Sequence, residues 1–163
     1  MLIVFAGPAC SGKSTLAEQL ARMHGWPHLS MDGTRQRLLP HAQHTRADRE
    51  VAYRAMSWAA ELLTQAGATA VLDAPYGHAE DRVEVARIGG RALKLIECRV
   101  AVETALARLR ARGIPDPERP DLTEERVARL NREFTYSGEG LLLDTDQLSE
   151  EECLARIERY LAS

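Results

Sequence analysis

The sequence predicts an α/β fold, a parallel sheet with helices on both faces, and three observations carry that prediction. Short, nearly all-apolar runs such as "LIVFA", "TAVLD" and "GLLLD" alternate with segments of helical periodicity, the pattern of βαβ units whose strands are covered on both faces. A glycine-rich turn, "GPACSGKST", joins the first run to the first helical segment. Polar residues then gather where the apolar runs end, at the sheet edge where ligands of such folds collect.

Each element follows in order. Strand one covers residues 2–6, and a helix over 13–24 presents Leu16, Leu20 and Met23 on one face. Strand two, 27–31, runs into "SMDGTR", where Asp32 and Arg35 open a helix-like turn. A long helix over 46–66 leads to strand three, 68–73, which ends at Asp73 before "APYG". A helix over 79–89, strand four over 92–98 and a helix over 102–112 come next. The segment "RGIPDPERPDLTEE" is rich in proline and charge and reads as an excursion within one domain, because helical patterns flank it closely. Asp121 is placed to cap a helix over 122–135, and strand five covers 140–144. The last helix, 149–162, opens with Ser149 and Glu152 in capping-box spacing and carries Leu154, Ile157 and Leu161 on one face. Trp26, Trp58 and Tyr53 read as packing residues.

Composition bounds the function. At 163 residues the chain fits one domain, 1–163, with a substantial core. A net charge of −3 argues against broad, sequence-independent nucleic-acid binding. The apolar stretches are strand-sized, so no membrane span is expected, and "MLIVFAGPAC" lacks the basic leading segment of a signal peptide. Cys10, Cys98 and Cys153 are too widely spaced for a metal pattern or a disulfide framework, which suits a reducing cytoplasm.

The most specific signal is Gly7-x4-Gly12-Lys13-Ser14, the phosphate-binding Walker A loop between a strand and a helix. Gly7, Pro8, Ala9, Cys10, Ser11, Gly12, Lys13, Ser14 and Thr15 are expected to wrap a nucleotide. The glycines let successive N–H groups turn toward the phosphates. Lys13 reaches the β- and γ-phosphates, and the Ser14 hydroxyl joins the shell of Mg²⁺. The Cys10 thiol is either a reachable nucleophile or a small apolar filler, and the sequence leaves both open.

Asp32 and Arg35, three apart, can share a face: a carboxylate to orient a hydroxyl and take its proton, and a guanidinium for an anionic group on the acceptor. Asp73 can hold Mg²⁺ through water or touch the acceptor, and Arg82 can approach the same cleft. Arg108 and Arg112, four apart, share a helical face before the proline-rich excursion, as a cationic lid would. His41 and His44 lack the companions of a metal site.

With "GPACSGKST", "SMDGTR", "VLDAPYGHAEDR" and "ARLRARG" in this order, the chain resembles the small P-loop kinases of the AAA_33 class, and within it the kinase domain of bacteriophage polynucleotide kinase. The resemblance covers nearly the whole chain. It implies a five-stranded sheet ordered 2-3-1-4-5, a helical lid over about residues 108–138, ATP as γ-phosphoryl donor and Mg²⁺. It also implies Asp32 as general base, Arg35 on the acceptor side, Arg108 and Arg112 as lid arginines, and Asp73 as the aspartate ending strand three. The acceptor is left open between a small alcohol and a nucleic-acid 5′-OH. A nucleotide-dependent switch and a toxin-like sugar-nucleotide kinase are the competing readings.

Overall fold

The structure is a computed structural model that describes residues 1–39, 41, 45–113, 119 and 121–163. Five strands form one parallel sheet: β1 (Leu2–Ala6), β2 (His28–Ser30), β3 (Ala70–Asp73), β4 (Leu93–Arg99) and β5 (Leu141–Asp144), in the spatial order β2-β3-β1-β4-β5. That is the expected order. β1 lies at the centre, paired with β3 and β4, and all five of its residues are buried. Because successive side chains of a strand point to opposite faces, β1 feeds two cores. Leu2, Val4 and Ala6 pack with Ala52, Met56 and Ala60 of α3 (Arg46–Gln65) and Val85 of α4 (Ala79–Gly89). Ile3 and Phe5 pack with Leu16, Ala17 and Leu20 of α1 (Lys13–His24) and with Cys153 and Ile157 of α7 (Glu150–Leu161). Each fully buried aliphatic or aromatic side chain there contributes about 1.5–3 kcal/mol of transfer free energy.

A third, smaller cluster joins Cys10 of the glycine-rich turn to Ala105 and Leu109 of α5 (Val102–Arg112), to Leu122, and to Val127 of α6 (Glu124–Glu133). The turn is thus packed against the C-terminal half of the chain.

Four helix starts carry side-chain caps. Ser30 accepts from Gly33 N at the start of α2 (Met31–Leu38), and Thr123 accepts from Arg126 N at the start of α6. Thr45 with Asp48, and Ser149 with Glu152, form complete capping boxes at α3 and α7. The Ser149 box is the one expected from sequence. The Thr45 box was not foreseen.

Four expectations need correction. The turn after strand two is a full eight-residue helix, α2, because the Ser30 cap holds its first N–H groups. The helix expected over 122–135 is α6, Glu124–Glu133, and its cap is Thr123; Asp121 is instead engaged by arginines. β5 is not covered on both faces: at the sheet edge only Leu143 is buried, and Leu142 is 41% exposed. Tyr53 and Trp26 do pack, but Trp58 is 67% exposed on the solvent side of α3. No described helix is long and apolar enough to cross a membrane.

Candidate functional site

The carboxyl ends of the strands bring the polar signals together, since parallel register aligns Ser30 with Asp73 and Phe5 with Asp73. The loop Gly7–Thr15 leaves β1 at this edge. A Cβ on Gly7 would lie 2.7 Å from the Cys98 carbonyl oxygen and 2.6 Å from Ser11 Oγ, so only glycine fits. Gly12 has φ 82° and forms the N-cap of α1, with no side-chain cap and no acidic residue in the first turn. An α-helix N-terminus left this way presents unneutralised N–H dipoles, the electrostatics of an anion site. Ser11 Oγ is buried without a hydrogen-bond partner at the same place. These features fit nucleotide phosphates.

Three successive carbonyls on the outer side of the loop accept hydrogen bonds from three separate C-terminal positions. Asn131 Nδ2 donates to Ala9 O (3.1 Å), Arg108 Nη1 to Cys10 O (3.2 Å), and Thr145 Oγ1 to Ser11 O (2.9 Å). These bonds fix the peptide planes at Ala9, Cys10 and Ser11, while Ser11 N donates within the loop to Pro8 O (3.4 Å) and Gly7 N to Pro75 O (3.0 Å). Arg108 also donates through Nη1 to Thr145 Oγ1 (3.0 Å) and through Nη2 to Thr145 O (2.6 Å), which ties the loop, α5 and the end of β5 into one network. Cys10 adopts φ 63°, and its side chain is 5% exposed within the third apolar cluster. The apolar-filler alternative therefore holds for its thiol.

Ser14 Oγ donates to Asp73 Oδ1 at 3.0 Å, and Asp73 is 2% exposed. A hydroxyl and a carboxylate side by side at a phosphate loop are hard oxygen donors of the kind Mg²⁺ takes. Among the described residues no group of three or more His, Cys, Asp or Glu forms a metal cage. A cation here would complete its shell from phosphate and water, as Mg²⁺ ordinarily does. His28 Nε2 sits 3.7 Å from Asp73 Oδ2, beyond hydrogen-bond distance.

At the end of the neighbouring strand β2, Asp32 stands in the first turn of α2 with its side chain 48% exposed. Its Oδ1 lies 3.4 Å from Arg35 Nη2, and its Oδ2 accepts from Arg119 Nη1 at 2.5 Å. Arg35 is 3% exposed, and burial lowers its pKa against the opposing field of Asp32. Arg119 is gripped from behind by Asp121, which accepts from Nε (3.0 Å) and Nη2 (3.3 Å). Burial opposes the Arg119 charge, but the Asp121 hydrogen bond and the nearby Asp32 outweigh it and hold the pKa above its ordinary value.

Residues 2–136 match the family AAA_33, an AAA domain. The chain belongs to the AAA_33 family. No curated protein matches it. Solved structures do, at identities that establish the fold. The APS kinase CysC of Mycobacterium tuberculosis, in complex with AMPPNP and APS, is 22% identical with a TM-score of 0.75, covering 99% of this chain and 97% of that one. A gluconokinase from Sinorhizobium meliloti 1021 is 16% identical with a TM-score of 0.74, covering 98% and 90%. Chaetomium thermophilum Kti12 in complex with ADP-AlF3 is 19% identical with a TM-score of 0.68, covering 100% of both chains. The P-loop kinase architecture expected from sequence is the architecture found.

The remaining expected positions of this AAA_33 chain fall as follows. Arg82 Nη1 donates to Tyr76 O (2.7 Å) and Thr135 O (3.2 Å), so its guanidinium joins the turn after β3 to the loop after α6. Arg112 is exposed at the end of α5, unlike Arg108. Arg110, on a different side of α5, is paired with Glu124 of α6 at 2.6 Å. Within the lid region expected over about 108–138, residues 114–118 and 120 lie outside the described residues, as does His44 of the His41/His44 pair.

Sequence reasoning passed over Asn131, Thr145, Arg119 and Glu97, and read Asp121 only as a helix cap. Glu97 is 1% exposed, and its carboxylate accepts from Ser137 N (2.7 Å) and Gly138 N (3.2 Å), fixing the chain before β5. A charge inside the apolar strand "LKLIECR" was the signal for it. Thr145 had a signal too, as a polar residue one step past the end of a parallel strand. The strand-end residue itself, Asp144, pairs with Arg99 at 2.6 Å.

Proposed function

We propose that the protein is an ATP-dependent kinase that moves the γ-phosphate of ATP to an alcohol hydroxyl, with residues 1–163 acting as one domain and about 108–138 as its lid. The observation that carries this reading is a half-exposed carboxylate, Asp32, in the first turn of the helix that follows β2, at the same carboxyl edge of the sheet as an uncapped phosphate loop, with the buried Arg35 beside it. A protein that transfers phosphate only to water has less use for such a pair. The gluconokinase and the APS kinase among its structural neighbours support the same reading.

The roles follow from chemistry. Phosphoryl transfer needs little covalent help from the protein; it needs positioning and charge stabilisation. The loop N–H groups and Lys13 hold the phosphates, with Lys13 opposing the charge that builds on the transferred group. Ser14 and Asp73 would hold Mg²⁺, which neutralises phosphate oxygens when bound. Asp32 orients the acceptor hydroxyl and accepts its proton, and Arg35 fixes the acceptor end of the cleft. Arg108 and Arg112 bring positive charge to the nucleotide side. Arg82 keeps the β3–α4 turn in place for the acceptor.

The acceptor is a small hydroxyl compound in this proposal. The net charge of −3 and the small-molecule names of the neighbouring kinases favour it over a nucleic-acid 5′-OH, which the polynucleotide-kinase resemblance would suggest. Three buried free cysteines suit action in a reducing cytoplasm. The test is incubation with γ-labelled ATP and Mg²⁺ against sugars, hydroxy acids, nucleosides, sugar nucleotides and 5′-OH oligonucleotides. Labelled product with the native protein, and its loss in Asp32→Asn with nucleotide binding intact, is the expected result. Label released only as inorganic phosphate would replace the kinase reading with the switch reading. A labelled sugar nucleotide would instead identify the toxin-like kinase.

A further inference from the structure

The Asp32–Arg119 pair joins two positions 87 residues apart, one on the acceptor side of the cleft and one in the segment between α5 and α6. Its two ends are held differently. Arg119 is fixed on its far side by Asp121, whose carboxylate takes both Nε and Nη2 and is 11% exposed. Arg126 braces Asp121 in turn, with Nη1 3.4 Å from Oδ2. Only Nη1 of Arg119 reaches Asp32, whose side chain is 48% exposed. The inner pair is therefore built into the protein, and the outer contact is open to replacement.

That contact conflicts with the proposed work of Asp32. A carboxylate flanked by Arg35 at Oδ1 and Arg119 at Oδ2 is poorly placed to accept a hydrogen bond from a substrate hydroxyl. A neutral alcohol that displaced Arg119 from Oδ2 would strand the Nη1 donor of a partly buried guanidinium, and a charged donor that loses its acceptor is costly. An alcohol that also carries an anionic group avoids the conflict. Its anion takes the place of Asp32 on Arg119, and its hydroxyl takes the place of Arg119 on Asp32.

We propose that Arg119, held by Asp121, which Arg126 braces in turn, is an oxyanion-binding subsite of the acceptor pocket, and that the acceptor is accordingly a hydroxyl compound bearing a phosphate or carboxylate. The substrate class rests on the kinase reading; the subsite itself can be tested without any phosphoryl transfer.

The experiment uses the full chain saturated with Mg²⁺ and a non-hydrolysable ATP analogue, so that the phosphate loop is filled. Inorganic phosphate is then titrated by calorimetry, with acetate in parallel to separate a phosphate preference from a carboxylate preference. Arg119→Gln should weaken anion binding about tenfold or more, the scale of a lost charge-assisted hydrogen bond. Asp32→Asn should tighten it several-fold, because the competing carboxylate is gone. In the Arg119→Gln background, Asp32→Asn should have no such effect. Arg119→Lys should restore part of the affinity. A native protein that binds neither anion, an Arg119→Gln protein that binds like the native one, or an Asp32→Asn protein with unchanged affinity would each overturn the subsite. Because binding alone is read, its failure is distinct from failure of the kinase assignment, which the labelled-acceptor panel decides.

Discussion

Arg108→Met tests whether Arg108 shapes the phosphate loop before any nucleotide arrives. The guanidinium donates to Cys10 O at 3.2 Å, to Thr145 Oγ1 at 3.0 Å and to Thr145 O at 2.6 Å. Hydrogen bonds from a charged donor contribute about 1.5–3 kcal/mol each. Three bonds from one partly solvated group share a single desolvation, so about 1 kcal/mol each, or about 3 kcal/mol in all, is the working magnitude. Methionine keeps the apolar stem and removes the donors, which limits any cavity contribution. For a chain of this size, 3 kcal/mol lowers Tm by about 6–12 °C. Urea and thermal unfolding of the nucleotide-free protein measure it. Thr145→Val alone, combined with Arg108→Met in a double-mutant cycle, should show coupling of about 1 kcal/mol, because the two side chains share one network. If Arg108→Met is as stable as the native protein within about 0.5 kcal/mol, Arg108 is not a clamp in the free protein and acts only on phosphates.

Lys13→Ala and Ser14→Ala should each lower phosphoryl transfer by orders of magnitude while leaving the urea midpoint near the native value, because their proposed roles lie in the transition state rather than the core; near-normal turnover in a folded variant would remove the loop from the chemistry. Cys10, Cys98 and Cys153 are 5%, 0% and 1% exposed, and burial pushes the Cys98 thiol up to about 12. Iodoacetamide should therefore modify none of them in the folded, nucleotide-free protein and all of them in urea, as read by peptide mapping. Labelling of Cys10 in the folded protein would mean that the loop opens away from α5 and α6.

The strand order, the phosphate loop and the Ser149 capping box were legible because each is a local or family-wide pattern: apolar period, glycine spacing, side chain at a fixed offset. The position of Asp73 was legible for the same reason, as a carboxylate closing an apolar run. What escaped the sequence is long-range and polar. Nothing in "PERPDLT" says that Arg119 crosses 87 residues to meet Asp32, since an arginine beside an aspartate two positions on reads as a solvated pair. Leu142 misled for another physical reason. An edge strand keeps the apolar composition of a buried one when only one of its faces is covered. Asn131 had a faint signal, a residue unfavourable inside a helix, and its second bond to Val127 O (2.8 Å) shows the local competition with the backbone that gives asparagine that character.

The outward-turned carbonyls of Ala9, Cys10 and Ser11 make a larger point about what a loop motif contains. A strand, a glycine-rich turn and a helix place the phosphates near the first turn of α1, and the motif spacing encodes that much. It does not encode which way the peptide planes face. Here those planes are set by Asn131, Arg108 and Thr145, separated from their acceptors by 122, 98 and 134 residues. Thr145 even lies beyond residues 2–136, the part that matches the AAA_33 family. Two of the three donors stand on α5 and α6, the helices that flank the proline-rich segment, and the Cys10 side chain packs into the same pair. Any displacement of α5 or α6 must therefore either break a hydrogen bond to the loop or carry the loop with it. A continuous chain of polar contacts therefore runs outside the sheet, from the loop to Arg108 on α5 and Asn131 on α6, from Arg126 of α6 to Asp121, and through Arg119 to Asp32.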